Sequence, residues 1–220
     1  MELFFLISGF VICMSSWGRR LGDFFTSRVS RLYPAYWVAV LMTFAVVTVL
    51  PVGGVTPPVR LTLTDVAINM TMLQQPMGVP SVDGVYWTLF KELRFYLLFA
   101  ILIRVGRTYR RAVLFCAVWM TAAVIAPTLQ SPLIEMITIP EYAPYFIAGI
   151  AMYLIHRFGP TPLLYAIVGF AWLVSLHRVE ERTAGLRPGF PVPSWPAVVL
   201  VTAAYVVLLA VALRRTDRIT

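Results

Sequence analysis

The sequence predicts an all-α, polytopic integral membrane bundle, with about seven transmembrane helices in this chain, and three observations carry that prediction. Of 220 residues, 60% are hydrophobic and only 13% are charged, with a mean hydropathy of +0.81. A soluble domain of this size could bury a core, but it would not carry so many long uncharged runs. The second observation is that arginines gather where apolar runs end. The third is that one run holds Lys91, Glu92 and Arg94 in its interior. The 18 basic against 10 acidic residues give a formal charge of +8. Because the arginine clusters alternate with spans and lack an exposed aromatic platform, they speak for membrane orientation and against nucleic acid.

Each element follows in turn. Residues 3–17 form a short apolar run with Ser8 and Gly9 at its middle, small residues that suit close helix packing. Arg19, Arg20, Arg28 and Arg31 follow against one acid, Asp23, marking a cytoplasmic connection in which Phe24, Arg28, Arg31 and Leu32 recur at helix spacing before Tyr33-Pro34. Pro34 is expected to open the next span, residues 35–50, because a first turn tolerates its missing donor. An irregular external segment at 51–58 leads to residues 61–73, read as an interfacial or re-entrant helix and closed by Gln74, Gln75 and Pro76.

A span over residues 85–105 ends at Arg104, Arg107, Arg110 and Arg111, four arginines in eight residues with no acid. Residues 112–129 return outward to a turn at Ser131-Pro132, and residues 146–155 cross inward to His156-Arg157. Residues 163–176 cross outward to His177-Arg178, and residues 178–194 read as an external loop. Residues 195–213 cross inward before Arg214, Arg215 and Arg218. The alternation puts the amino terminus outside and the carboxyl terminus in the cytoplasm. Tyr142, Tyr145, Trp172 and Trp195 read as interface anchors, and Cys13 and Cys116 as packing residues. The sequence has no phosphate loop, metal box, nucleophile elbow or histidine cluster, so neither a metal nor a tightly bound cofactor is expected. His156 and His177 fall at opposite ends of adjacent spans and read as interfacial.

The stretch from Asp83 to Leu98 is where function is to be sought. Glu92 lies about seven residues into its span, roughly 10 Å along the axis of a layer about 30 Å thick. A charge there costs about 2.5–3.5 kcal/mol unless it faces a cavity or a partner. Helical spacing puts Thr88, Glu92, Phe95 and Tyr96 along one side, with Asp83, Trp87, Lys91 and Arg94 nearer the other. Tyr96, an arginine from another helix or water could supply a donor to Glu92. Two readings stand: a structural ion network, or a polar chamber for a substrate or group donor. Arg28 and Arg31, one turn apart, could clamp phosphate groups or meet anionic lipid headgroups.

Three blocks in this order, Glu2-Leu3-Phe4-Phe5-Leu6-Ile7-Ser8-Gly9-Phe10, Arg28-Val29-Ser30-Arg31-Leu32-Tyr33-Pro34-Ala35-Tyr36-Trp37 and Tyr86-Trp87-Thr88-Leu89-Phe90-Lys91-Glu92-Leu93-Arg94-Phe95-Tyr96, resemble the membrane acyltransferase-3 family. Tyr145-Phe146-Ile147-Ala148-Gly149 is similar to a fourth, weaker family block, and in hydropathy the resemblance covers essentially the whole chain. It implies one transmembrane domain over residues 1–220 that transfers an acyl group, commonly acetyl from acetyl-CoA, to a hydroxyl of a carbohydrate or lipid-linked sugar in a bacterial inner membrane. Acetyl-CoA or another acyl-CoA would be a co-substrate and membrane lipids the surroundings. By resemblance, Arg28 and Arg31 belong near coenzyme A and Glu92 to the catalytic centre. Ser8, Gly9, Trp87, Thr88, Lys91, Arg94 and Tyr96 would form its polar core. The family also implies a catalytic histidine, with an arginine, on a helix before the first block, a position that neither His156 nor His177 matches. That helix, and further carboxyl-terminal helices, are expected to be missing from this stretch of sequence. The other reading is therefore a catalytically inactive, shortened member that binds lipid, acyl-CoA or a membrane partner. A small-solute transporter is a third, without a detectable inverted repeat.

Overall fold

A computed structural model describes residues 1–49, 62–84, 86–185 and 195–214, and every regular element among them is helical. The expected segment at 51–58, residues 186–194 of the expected loop, and Arg215 and Arg218 lie outside the described residues. The helices are α1 (Glu2–Ser16), α2 (Leu21–Val49), α3 (Leu63–Asn69), α4 (Trp87–Val105), α5 (Tyr109–Ile125), α6 (Pro132–Thr138), α7 (Ala143–Phe158), α8 (Pro162–Gly185) and α9 (Trp195–Leu213). A 3-10 turn over Ala126–Leu129 continues α5. Among the described residues, α2, α5 with its 3-10 turn, α8 and α9 contain stretches long and apolar enough to cross a membrane. This is an all-helical bundle of membrane-spanning type.

The chain divides into two compact units, one of Met1–Arg19 with Leu97–Thr220 and one of Arg20–Tyr96. In the first, α7 is the centre. Every residue from Ala143 to Ile155 is buried, and α1, α5, α8 and α9 pack around it. A helix apolar on all sides needs such an enclosure. Small residues set the closest approach: a Cβ on Gly9 would overlap the Phe146 carbonyl, and one on Gly149 would overlap the Leu6 carbonyl. The α1–α7 crossing therefore requires glycine on both helices. The Phe5 ring lies tilted against Tyr142 at 4.6 Å and against Phe146 at 5.2 Å. Tyr142 and Tyr145, expected at the membrane interface, are instead buried, because α7 meets protein on every side.

In the second unit, α2 runs without a break through Pro34, where the sequence suggested the start of a span. A proline inside a helix costs about 3 kcal/mol or more. Three aromatic donors flanking it tie α2 to the chain that follows α3: Tyr33 Oη to the Thr71 carbonyl at 3.3 Å, Tyr36 Oη to the Asn69 carbonyl at 2.6 Å, and Trp37 Nε1 to the Met70 carbonyl at 3.0 Å. At about 1 kcal/mol each, these bonds offset the penalty. Residues 61–73 yield only the seven-residue α3. Its start is a capping box in which the Thr62 backbone N–H and hydroxyl each donate to Asp65 Oδ2 at 2.8 Å. At its end Asn69 is fully buried. Its Nδ2 donates to the carbonyls of Asp65 and Pro80 at 2.8 and 2.9 Å, and its Oδ1 accepts from the Val82 N–H at 3.1 Å. One side chain thus holds together the irregular stretch that leads into α4.

Two further departures concern element ends. The turn at Ser131-Pro132 opens α6, with proline in the first helical turn where its missing donor costs little. The chain past His177 continues as helix to Gly185, because His177 and Arg178 both reach Glu181, at 3.4 and 2.9 Å, one turn on.

Candidate functional site

The four sequence blocks pair off within the units. The block on α1 packs on the block of α7 through Gly9 and Gly149, while the block on α2 meets the block on α4 in the unit of Arg20–Tyr96. Tyr36 and Tyr86 join those two at 5.0 Å, edge to face, and the hydroxyls of Thr43 and Tyr86 lie 3.3 Å apart.

One turn or more toward the start of α2, the same pairing gathers polar groups. Arg28 is half-buried, with its guanidinium 5.8 Å from the Phe24 ring centre and 6.0 Å from that of Tyr96. Phe24 and Tyr96 meet edge to face at 6.0 Å. The Tyr96 hydroxyl interacts with both the Glu92 carboxylate and the Arg28 guanidinium, so the tyrosine links the acid on α4 to the base on α2. Glu92 is only 7% exposed, and Thr88, Phe95 and Tyr96 are buried with it. Trp87, Lys91 and Arg94 are half-buried on the other side of the helix, with the Arg94 guanidinium 5.5 Å from the Phe90 ring. The carboxylate in this setting has a hydroxyl beside it, which also meets a cation.

Arg28 and Arg31 separate in character. Arg28 stacks inward, whereas Arg31, three residues on, is exposed and has neither a hydrogen bond nor an ion pair among the described residues. Arg31 is thus free to meet an anion from solvent, while Arg28 already faces the interior acid. Ser8 and Gly9 belong to the other unit. There Ser8 is buried and Gly9 lies at the α7 crossing. Phe24, read in the sequence as part of one helical patch with Arg28, proves part of the Arg28 setting. Its signal was the four-residue spacing from Arg28, which puts a ring and a guanidinium on one helix face.

The histidines have separate partners. His156 Nδ1 lies 3.2 Å from the Ala212 carbonyl on α9, with its ring 5.8 Å from Phe10. His177 is exposed and reaches Glu181. At the end of α7, Arg157 lies 5.2 Å from the Trp17 ring and 5.6 Å from Phe158. The Arg107 guanidinium donates to the Ser16 carbonyl at the end of α1.

A family model described as an acyltransferase domain matches residues 1–218. No curated protein and no solved structure matches the chain.

Proposed function

Because the chain belongs to the acyltransferase-3 family, we propose that it transfers an acyl group, in the first instance acetyl from acetyl-CoA, to a hydroxyl of a carbohydrate or lipid-linked sugar. The single observation that supports a site in this chain is the Arg28–Tyr96–Glu92 linkage, which joins two of the family-like blocks around a nearly buried carboxylate. In the reaction the acceptor oxygen attacks the thioester carbonyl carbon. A C–O bond forms, the C–S bond breaks, and the acceptor's proton passes to the departing thiolate. Glu92 takes the role of holding that proton, with Arg28 and Tyr96 keeping it in place. Arg31, exposed in the first half of α2, meets phosphates of coenzyme A as a charge-assisted donor. Trp87, Thr88, Lys91 and Arg94 surround the polar interior.

The setting is a bacterial inner membrane crossed by α1, α2, α4, α5, α7, α8 and α9, with the carboxyl terminus cytoplasmic. Residues 1–220 act as one domain.

The test follows label from acetyl-CoA into the acceptor fraction of membranes carrying the protein expressed from its native gene. Glu92→Gln should lower kcat by about 10²–10⁴-fold, and Arg31→Ala should raise KM for acyl-CoA by about tenfold with kcat little changed. Saturable binding of acyl-CoA without transfer of label would replace this reading with that of a binding member of the family. Full transfer by Glu92→Gln would remove Glu92 from the chemistry.

A further inference from the structure

Away from the charged segment, α4, α5 and α6 enclose an open groove of about 360 Å³ whose wall is almost wholly apolar. Ile101, Leu114 and Val118 line it while remaining 56%, 62% and 61% exposed. Trp119, another lining residue, is buried and spends its only side-chain donor on the Thr138 carbonyl at 2.7 Å. Along α5 the lining runs from Arg111 to Ala122, a rise of about 16 Å. That is close to half of a hydrocarbon layer about 30 Å thick, the depth of one leaflet.

The two ends differ in charge. At the Arg111 end stand Arg104, Arg107, Arg110 and Arg111 with no acid between them. Arg111 Nη1 donates to the Val105 carbonyl at 2.6 Å, where α4 stops, which fixes the guanidinium at the mouth and leaves its other donors for a ligand. Arg104 and Arg110, near it in sequence or at the end of α4, are exposed.

We propose that this groove is a binding site for one anionic phospholipid, with an acyl chain lying along α5 between α4 and α6 and the headgroup phosphate held by Arg111 and its neighbours. The apolar length selects a chain, and the arginine mouth selects a phosphate over a neutral headgroup. The site uses none of the residues assigned to acyl transfer, so it stands independently of that reading.

Native mass spectrometry of the full chain in detergent, titrated separately with phosphatidylglycerol, phosphatidylcholine and inorganic phosphate, tests it. Phosphatidylglycerol should bind at least about tenfold more tightly than phosphatidylcholine, and inorganic phosphate should bind far more weakly than either, because it fills none of the groove. Val118→Trp, at an exposed lining position that folding tolerates, should displace both lipids. Ala122→Trp should do the same from deeper in the groove. Arg111→Gln should keep the chain but lose about fivefold of the preference for the anionic lipid. Equal affinity for the two lipids, phosphatidylglycerol occupancy unchanged in Val118→Trp, phosphate binding as tight as phosphatidylglycerol, or lipid-free association of copies through position 118 would each overturn the proposal.

Discussion

At the scale of single residues, Tyr96 decides how the buried acid is held. It carries the hydroxyl that interacts with Glu92 and with Arg28, and its ring meets both Phe24 and the guanidinium. Tyr96→Phe keeps the ring contacts and removes the link. It should cost about 1–3 kcal/mol in thermal unfolding in detergent, the penalty of a buried polar group losing a partner. Unchanged stability would place the hydroxyl outside the network. Arg28→Lys keeps the charge but loses the planar group over two rings, and should destabilise by about 0.5–2 kcal/mol. The acid and the two basic residues were legible in the sequence because charge inside an apolar run is conspicuous. Phe24 was legible only as a helical neighbour of Arg28, since its contact with Tyr96 comes from tertiary packing. Tyr142 and Tyr145 misled for the same reason. An amphipathic ring suits either an interface or a core, and the enclosure of α7 settles which.

At the scale of elements, glycine at the α1–α7 crossing makes a demand that composition alone did not reveal. Gly149→Ala puts a methyl where the Leu6 carbonyl already stands, so the helices must part, at about 1–3 kcal/mol. A lower melting temperature in detergent is the expected reading, and a Gly9→Ala, Gly149→Ala double variant should fall short of the sum because both changes force the same separation. The cap of α3 responds to acid. The Thr62 backbone N–H, followed by its hydroxyl, holds the Asp65 carboxyl below the usual carboxylate range. A depressed folded-state value means that the cap contributes fully above the unfolded value, about 3.9, and is lost as pH falls through the lower folded one. Amide exchange should show the first turn of α3 losing protection only in that acid window, and Asp65→Asn should abolish the dependence. Helix ends were legible where an arginine cluster met an apolar run, as at Val105 and Leu213. They were not where the stop signal was itself helical. His177 and Arg178 resembled an exit, yet Glu181 pairs with both inside α8. Pro34 resembled a start, yet α2 holds it through three side-chain bonds made far along the chain.

At the scale of the whole molecule, orientation rests on where the arginines lie, and it can be read chemically. Cys13 and Cys116 are both buried, so the wild-type chain should be quiet toward a membrane-impermeant thiol reagent. Arg110→Cys, at an exposed site in the first turn of α5, should react only after cells are permeabilised. Met77→Cys, exposed after α3, should react in intact cells. The opposite pattern would invert the orientation, and reaction of both in intact cells would show that α4 does not cross.

The enclosure of α7 also bears on how the protein is made. A helix of sixteen residues reaches about 24 Å, less than the hydrocarbon layer it would have to span alone, and its glycine and alanines are shaped for neighbours rather than for acyl chains. α1 is synthesised well before it, but α8 and α9 come after. A nascent chain that has just released α7 therefore lacks half of that helix's wrapping, and its hold in the bilayer depends on what emerges next from the ribosome. In chains halted before α8, α7 should accordingly be poorly held and a ready target for membrane proteases, which makes α8 and α9 guardians of biogenesis.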